Sequence, residues 1–192
     1  MLNKRFFVIL GITLSAAAMR LVPHPPNMTP IAAMALFGGV YFANKRMALL
    51  IPLAAVYLSD LVLGLFVYDF GLFHGFMPFV YAGFVVTVCL GFLVRRRITP
   101  LMVGGAALTG SVMFFIITNF GVWLVSSLYP KTLAGLAGCY VAAIPFFRNS
   151  LAGDAIYALL FFGGFALAQR YLPVLRAEPV AIPAQVCLRQ DT

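Results

Sequence analysis

Six continuous apolar runs divide this sequence, near residues 6–22, 30–43, 47–66, 78–94, 100–127 and 151–171. A helix of about 20 apolar residues crosses roughly 30 Å of hydrocarbon, so each run reads as a span, the second short and the fifth long. The breaks carry loop chemistry. They fall at Pro23-His24-Pro25-Pro26-Asn27, Asn44-Lys45-Arg46, residues 68–75, Arg95-Arg96-Arg97 and Tyr129-Pro130-Lys131. With 63% apolar and 9% charged residues, the chain is far from a soluble domain, which is about 25% charged. Disorder, a coiled coil and an ordinary soluble enzyme are excluded. The expected fold is all-α: an integral membrane bundle of six transmembrane helices in residues 1–172, with residues 173–192 a flexible cytoplasmic tail.

The net charge of +8 reads as topology, because cytoplasmic loops collect Lys and Arg. With the N-terminus inside, ten of the 13 basic residues lie inside, and Arg20, Lys131 and Arg148 lie outside. Both termini are then cytoplasmic, and nucleic acid is set aside. Lys4-Arg5, the apolar core Phe6 to Leu14 and Ala16-Ala17-Ala18 also match a cleavable signal peptide, which would leave five helices. Retention is favoured because the apolar character continues through Leu21-Val22. Three cysteines with no CxxC give no disulfide framework, zinc site or redox pair. P-loop, HExxH, GxSxG and kinase motifs are absent, and no cofactor is expected.

Polar groups in lipid are costly, which makes them functional candidates. Here they gather on the outer side: Arg20, His24, Asn27, Asp60, Asp69, His74, Asn119, Lys131, Arg148, Asn149 and Asp154. Asp60 and Asn119 sit inside apolar runs. Tyr57, Asp60 and Gly64 share a helix face, as do Asn119 and Trp123, and Asp154, Tyr157 and Ala158. Such pairing of polar groups with rings suits the lining of a pocket for a partly apolar ligand. The competing reading is hydrogen bonding between helices plus an aromatic belt. Thr29-Pro30, Pro78 and Asn149 or Ser150 suit helix starts on the same side. Three N-termini beside Arg20, Lys131 and Arg148 favour a ligand with carboxylate, phosphate or amide oxygens. Small residues four apart at Ala35/Gly39, Ala106/Gly110 and Ala107/Ser111 permit close helix packing.

The stretch Arg20-Leu-Val-Pro-His-Pro-Pro-Asn-Met-Thr-Pro-Ile-Ala-Ala-Met-Ala-Leu-Phe-Gly-Gly39 resembles the signature of a family of small bacterial membrane proteins, described as transport proteins of unknown function. Ser59-Asp60 with Phe73-His74 and Met77 to Tyr81 resembles its second signature. Thr118 to Trp123 with Tyr129-Pro130 resembles the third, and Tyr140 to Asp154 the fourth. The likeness covers roughly residues 18–165. That family in turn resembles the six-helix substrate-binding (S) components of energy-coupling-factor vitamin transporters, nearest to the solitary cobalamin S-component of Gram-negative bacteria. The resemblance implies a bacterial inner membrane protein with a vitamin pocket on its outer face. Two features depart from it. No cysteine stands between His74 and Ala82 to hold cobalt, so His24, His74 and Cys139 are the remaining donors and no metal site is expected. The small-residue docking stripe is poorly matched on the first helix, where Gly11, Ser15 and Met19 hold the spacing. Partnership with an energising module stays open.

The expected function is therefore uptake of a small organic nutrient, vitamin-like and with a cobamide as one case, from the periplasmic side. Capture is expected under the loop between the fifth and sixth helices, followed by a rearrangement that exposes the ligand inward. Asp60, His74, Tyr81, Asn119, Trp123, Asn149 and Asp154 are expected to orient it, with Arg20 and His24 shaping the rim or pairing with Asp60. Two rivals are an intramembrane enzyme using His24, His74, Asp60 and Asp154 as acid–base groups, and a structural subunit without a ligand.

Overall fold

The computed structural model describes residues 3–66 and 75–176. Among these the chain is all-helical. The helices are α1 (Lys4–Met19), α2 (Ile31–Tyr41), α3 (Lys45–Phe66), α4 (Met77–Val94), α5 (Pro100–Val125) and α6 (Leu133–Ala158). A π-helical turn at Leu159–Gly163 continues α6 into α7 (Gly164–Tyr171), and a 3₁₀ turn follows at Pro173–Leu175. Four helical stretches are long and apolar enough to cross a membrane: α3, α4, α5 and the continuous Leu133–Tyr171. The chain is therefore a multi-pass membrane protein. With 16 and 11 residues, α1 and α2 are shorter.

The shortest helix is the centre of the fold. α2 packs against α1, α3, α4, α5 and α6. Neighbouring contacts run round it in the order α1, α3, α4, α5, α6, and the Pro173–Leu175 turn against α1 closes the ring. Ten of its 11 residues are buried, which suits a helix apolar on every face. The exception is Ala32. The helix starts at Ile31 behind Pro30, whose carbonyl accepts from the Met34 N–H at 2.8 Å. Thr29, the expected cap, makes no side-chain cap bond to it. The first-turn N–H groups of α2 thus have no partner within the helix.

α2 can sit this deep because its neighbours come close. A Cβ on Gly39 would lie 2.4 Å from the Val88 carbonyl oxygen, and one on Gly38 would lie 2.7 Å from Cγ of Pro52 in α3. At the other end of α2, Arg95 follows α4 and reaches back. Its Nε donates to the Gly39 carbonyl at 3.1 Å, and its Nη2 to the Phe42 carbonyl at 3.1 Å. A cation is favoured at a helix C-terminus by the orphan carbonyls there. Phe37 packs its ring against those of Tyr41, Phe161, Phe162 and Phe165, which ties α2 to the π turn and α7.

Two boundaries differ from the sequence expectation. The last long helix begins at Leu133, not near residue 151, and Thr132 Oγ1 caps it by accepting from the Gly135 N–H at 3.1 Å. Pro145, Arg148 and Asn149 look like a break in the sequence. In the fold Pro145 lies inside the helix, where proline kinks a helix and removes one of its hydrogen bonds. The connection from α5 is consequently short, and the segment expected as a long outer loop is helical. The tail expected from residue 173 also starts with structure. Leu175 is buried, and Gln169 Nε2 donates to its carbonyl at 3.1 Å. Residues 177–192 lie outside the described part.

Candidate functional site

Successive helices alternate in direction, so α1 ends, α3 ends, and α2 and α4 begin at one end of the bundle. Lys4, Arg5, Lys45, Arg46 and Arg95 to Arg97 belong to the opposite end by the same alternation. Arg20, the residue after α1, crosses to α3. Its Nη1 forms an ion pair with Asp60 Oδ1 and donates to Ser59 Oγ at 3.1 Å. Tyr81 of α4 donates its hydroxyl to Asp60 Oδ2 at 3.0 Å. Three helices are thereby joined through one carboxylate whose two oxygens are both engaged. The expected pairing of Arg20 with Asp60 is present. His24 does not join it, and its Nδ1 lies 2.6 Å from the Val22 carbonyl oxygen.

Beyond the N-terminus of α2 lies a cavity of about 360 Å³. Arg20 and Asp60 form part of its wall, with Thr29, Ile31 and Ala32 at the start of α2. The one incompletely buried residue of α2 thus faces this space. Met77, Val80 and Phe84 contribute from α4, Ser111, Phe114, Phe115 and Thr118 from α5, and Ala143, Phe147, Ser150 and Asp154 from α6, while Tyr81 stands behind Asp60 and is not in the wall. Asn119 lines it too. Its Nδ2 donates to the Phe115 carbonyl at 2.8 Å in its own helix, which leaves its amide oxygen as an acceptor. Ring pairs form much of the wall. Phe84 and Phe114 have centroids 4.9 Å apart, and Phe115 and Phe147 have centroids 4.6 Å apart.

Asp154 is 6% exposed, on the face of α6 turned towards α5. Ser111 Oγ lies 2.5 Å from its Oδ2 and 2.9 Å from the Ala107 carbonyl oxygen, so one hydroxyl hydrogen serves both contacts. Among the described residues no other hydrogen bond or ion pair reaches this carboxylate. Next to it, Gly153 lets α6 approach the Met28 backbone, where a Cβ would lie 3.2 Å from the Met28 Cα. A second space of about 540 Å³ lies between the first half of α5 and the end of α6. It runs from Ile98 and Thr99 past Ala107 and Ala158 to the same two residues. Ser111 and Asp154 therefore line both spaces.

The other expected site residues are placed differently. Trp123 donates Nε1–H to the Pro130 carbonyl at 3.0 Å, while Lys131 donates to the carbonyls of Trp123 and Ser126. These bonds lock the α5–α6 turn. Asn149 donates to the Pro26 carbonyl at 3.0 Å, pinning the proline-rich segment to α6. Tyr57 is 46% exposed and is not part of the cavity wall. Cys139 is buried and donates to the Asn119 carbonyl at 3.5 Å. None of these four, nor His24, lines the cavity, so His24 and Cys139 do not present donors to it for cobalt. His74 lies outside the described residues. Among those residues, no group of three His, Cys, Asp or Glu side chains stands ready for a metal ion.

Ser111, Thr118 and the rings of Phe114, Phe115 and Phe147 are lining residues that the sequence reading passed over. Ser111, Phe115 and Asn119 recur every four residues on α5, so one helical face carries them. A family model matches residues 1–175. The chain belongs to DUF6580, a family of unknown function. No curated protein and no solved structure matches it.

Proposed function

We propose that this DUF6580 chain is a transport protein of the bacterial inner membrane. It takes a small organic nutrient into the cavity beyond α2 from the periplasmic side and passes it inward. On this reading both termini are cytoplasmic, and six helices span the membrane as in the S-components that the sequence resembles. The observation that carries it is the shared wall: the cavity and the α5–α6 space meet at Ser111 and Asp154. A rearrangement of α6 against α5 that parts this pair would join the two. Pro145 and the π turn at Leu159–Gly163 flank Asp154 on the same helix. Prolines and π turns are where helices bend, and π turns recur at functional sites. At about 360 Å³ the cavity is at the small end of the roughly 300–1,000 Å³ of ligand pockets. A compact molecule suits it, and a cobamide is too large for it.

The test places one cysteine at position 111 (Ser111→Cys) after Cys89, Cys139 and Cys187 are replaced. Labelling with a membrane-impermeant thiol reagent is then measured from each side of oriented vesicles. Transport expects the thiol to be reached from both sides. A ligand-free structural subunit expects neither. Mass spectrometry of the purified protein, compared with an Ala32→Trp variant that fills the cavity, identifies what the cavity carries. Labelling from neither side, with no co-purifying compound lost in Ala32→Trp, would overturn the reading.

A further inference from the structure

Among the described residues, the charges around the cavity do not cancel. Arg20 and Asp60 neutralise each other, and Tyr81 takes the second oxygen of Asp60. Lys131 is held by carbonyls at the end of α5, and Arg148 is exposed. What is left on the wall among the described residues is the carboxyl group of Asp154. One of its oxygens is met by Ser111, and no cation pairs with it among the described residues. An ionised carboxylate out of water is costly unless a counter-charge stands beside it, and a carboxyl group without one takes up a proton instead; a cationic ligand supplies the counter-charge. The start of α2 also faces the cavity, but a helix N-terminus counts for only about half a positive charge, against a full negative one. The surrounding aromatic faces attract cations as well.

We propose that the cavity recognises an organic cation: a ligand whose ammonium or amidinium group meets Asp154 while its apolar body lies among Phe84, Phe114, Phe115 and Phe147. The first-turn N–H groups of α2 and the Asn119 oxygen are left for neutral polar groups of the same ligand. This differs from the ligand chemistry expected from the sequence, which favoured carboxylate, phosphate or amide oxygens. It rests on the reading of the cavity as the ligand site.

The test uses the full chain in lipid nanodiscs and three probes of one shape: 2-phenylethylamine, 2-phenylethanol and 3-phenylpropionate. Binding is measured by isothermal titration calorimetry. The amine is expected to bind at least about ten-fold more tightly than the alcohol, the scale of a hydrogen bond to a charged group, and the acid more weakly than either. Asp154→Asn removes the amine's advantage and leaves the alcohol unchanged. Alcohol binding retained by Asp154→Asn separates loss of charge from loss of fold. Equal or tighter binding of the alcohol or the acid overturns the proposal, as does undiminished amine binding by Asp154→Asn or no amine binding at all. Alcohol or acid binding that Ala32→Trp abolishes would overturn the cation class alone and leave the cavity as the ligand site.

Discussion

Gly39 of α2 and Gly91 of α4 stand backbone to backbone. A Cβ on Gly91 would lie 2.7 Å from the Gly39 Cα and 2.7 Å from the Leu36 carbonyl oxygen. No flexible side chain is available to yield there, so an added methyl group must push the helices apart. Gly39→Ala and Gly91→Ala are each expected to cost about 1–3 kcal/mol, the scale of overpacking a well-filled core. Thermal unfolding in detergent measures it. Gly104→Ala is the control, since nothing stands within 4 Å of its would-be Cβ. Alanine there is expected to be neutral or stabilising, as alanine favours helix over glycine.

Arg20 and Asp60 hold each other at partial burial, with side chains 23% and 14% exposed. That places the pair between surface bridges, which contribute little, and buried ones, whose breaking costs about 3–5 kcal/mol. Arg20→Ala or Asp60→Ala alone is expected to destabilise by about 1–3 kcal/mol. The double variant should lose less than the two single losses added together. A double-mutant cycle on unfolding midpoints reads the coupling, and strict additivity would refute the pair's energetic role.

Arg95 serves two carbonyls at the end of α2 and lies over the Phe92 ring at 4.7 Å. Arg95→Ala is expected to cost about 1–2 kcal/mol through the uncapped terminus. Arg95→Lys should restore only part of this, because an ammonium cannot reproduce the planar fork. Unfolding midpoints of the three proteins give the order wild type, Lys, Ala.

Trp123 and Lys131 close the short turn between α5 and α6. Trp123→Phe removes the Pro130 hydrogen bond and keeps most of the ring. A loss of about 0.5–1.5 kcal/mol is expected. It should appear as faster amide exchange in residues 126–132, with the cavity's ligand affinity unchanged.

The sequence marks Arg20 and Asp60 because a charge within an apolar run needs a partner, and the nearest opposite charge at that level supplies it. Asp154 and Asn119 stand out for the same reason. Ser111 does not, since a serine in an apolar helix ordinarily bonds to its own backbone, and its carbonyl partner Ala107 shows that it does so here as well. Trp123 near a helix end reads equally as a ring over a ligand or a clasp on a turn, and only the position of Pro130 decides between them. The start of α6 is hidden because Pro145 and Arg148-Asn149 imitate a loop, whereas the cap that matters is Thr132. The clustering of polar groups at one end was legible. Their division into a neutralised pair and an isolated carboxylate was not, because it depends on which side chains face each other across helices.

α2 has 11 residues and so spans about 16 Å, roughly half of a hydrocarbon layer about 30 Å thick. Among the described residues, no helix fills the other half of its axis. The chamber beyond Ala32 is, in effect, the missing portion of a central column, roofed by the turn-rich segment that runs from Arg20 to Pro30. Its size is then set by where one helix starts: a family member that begins α2 one turn earlier would lose about 5 Å of depth, and with it the room for a guest.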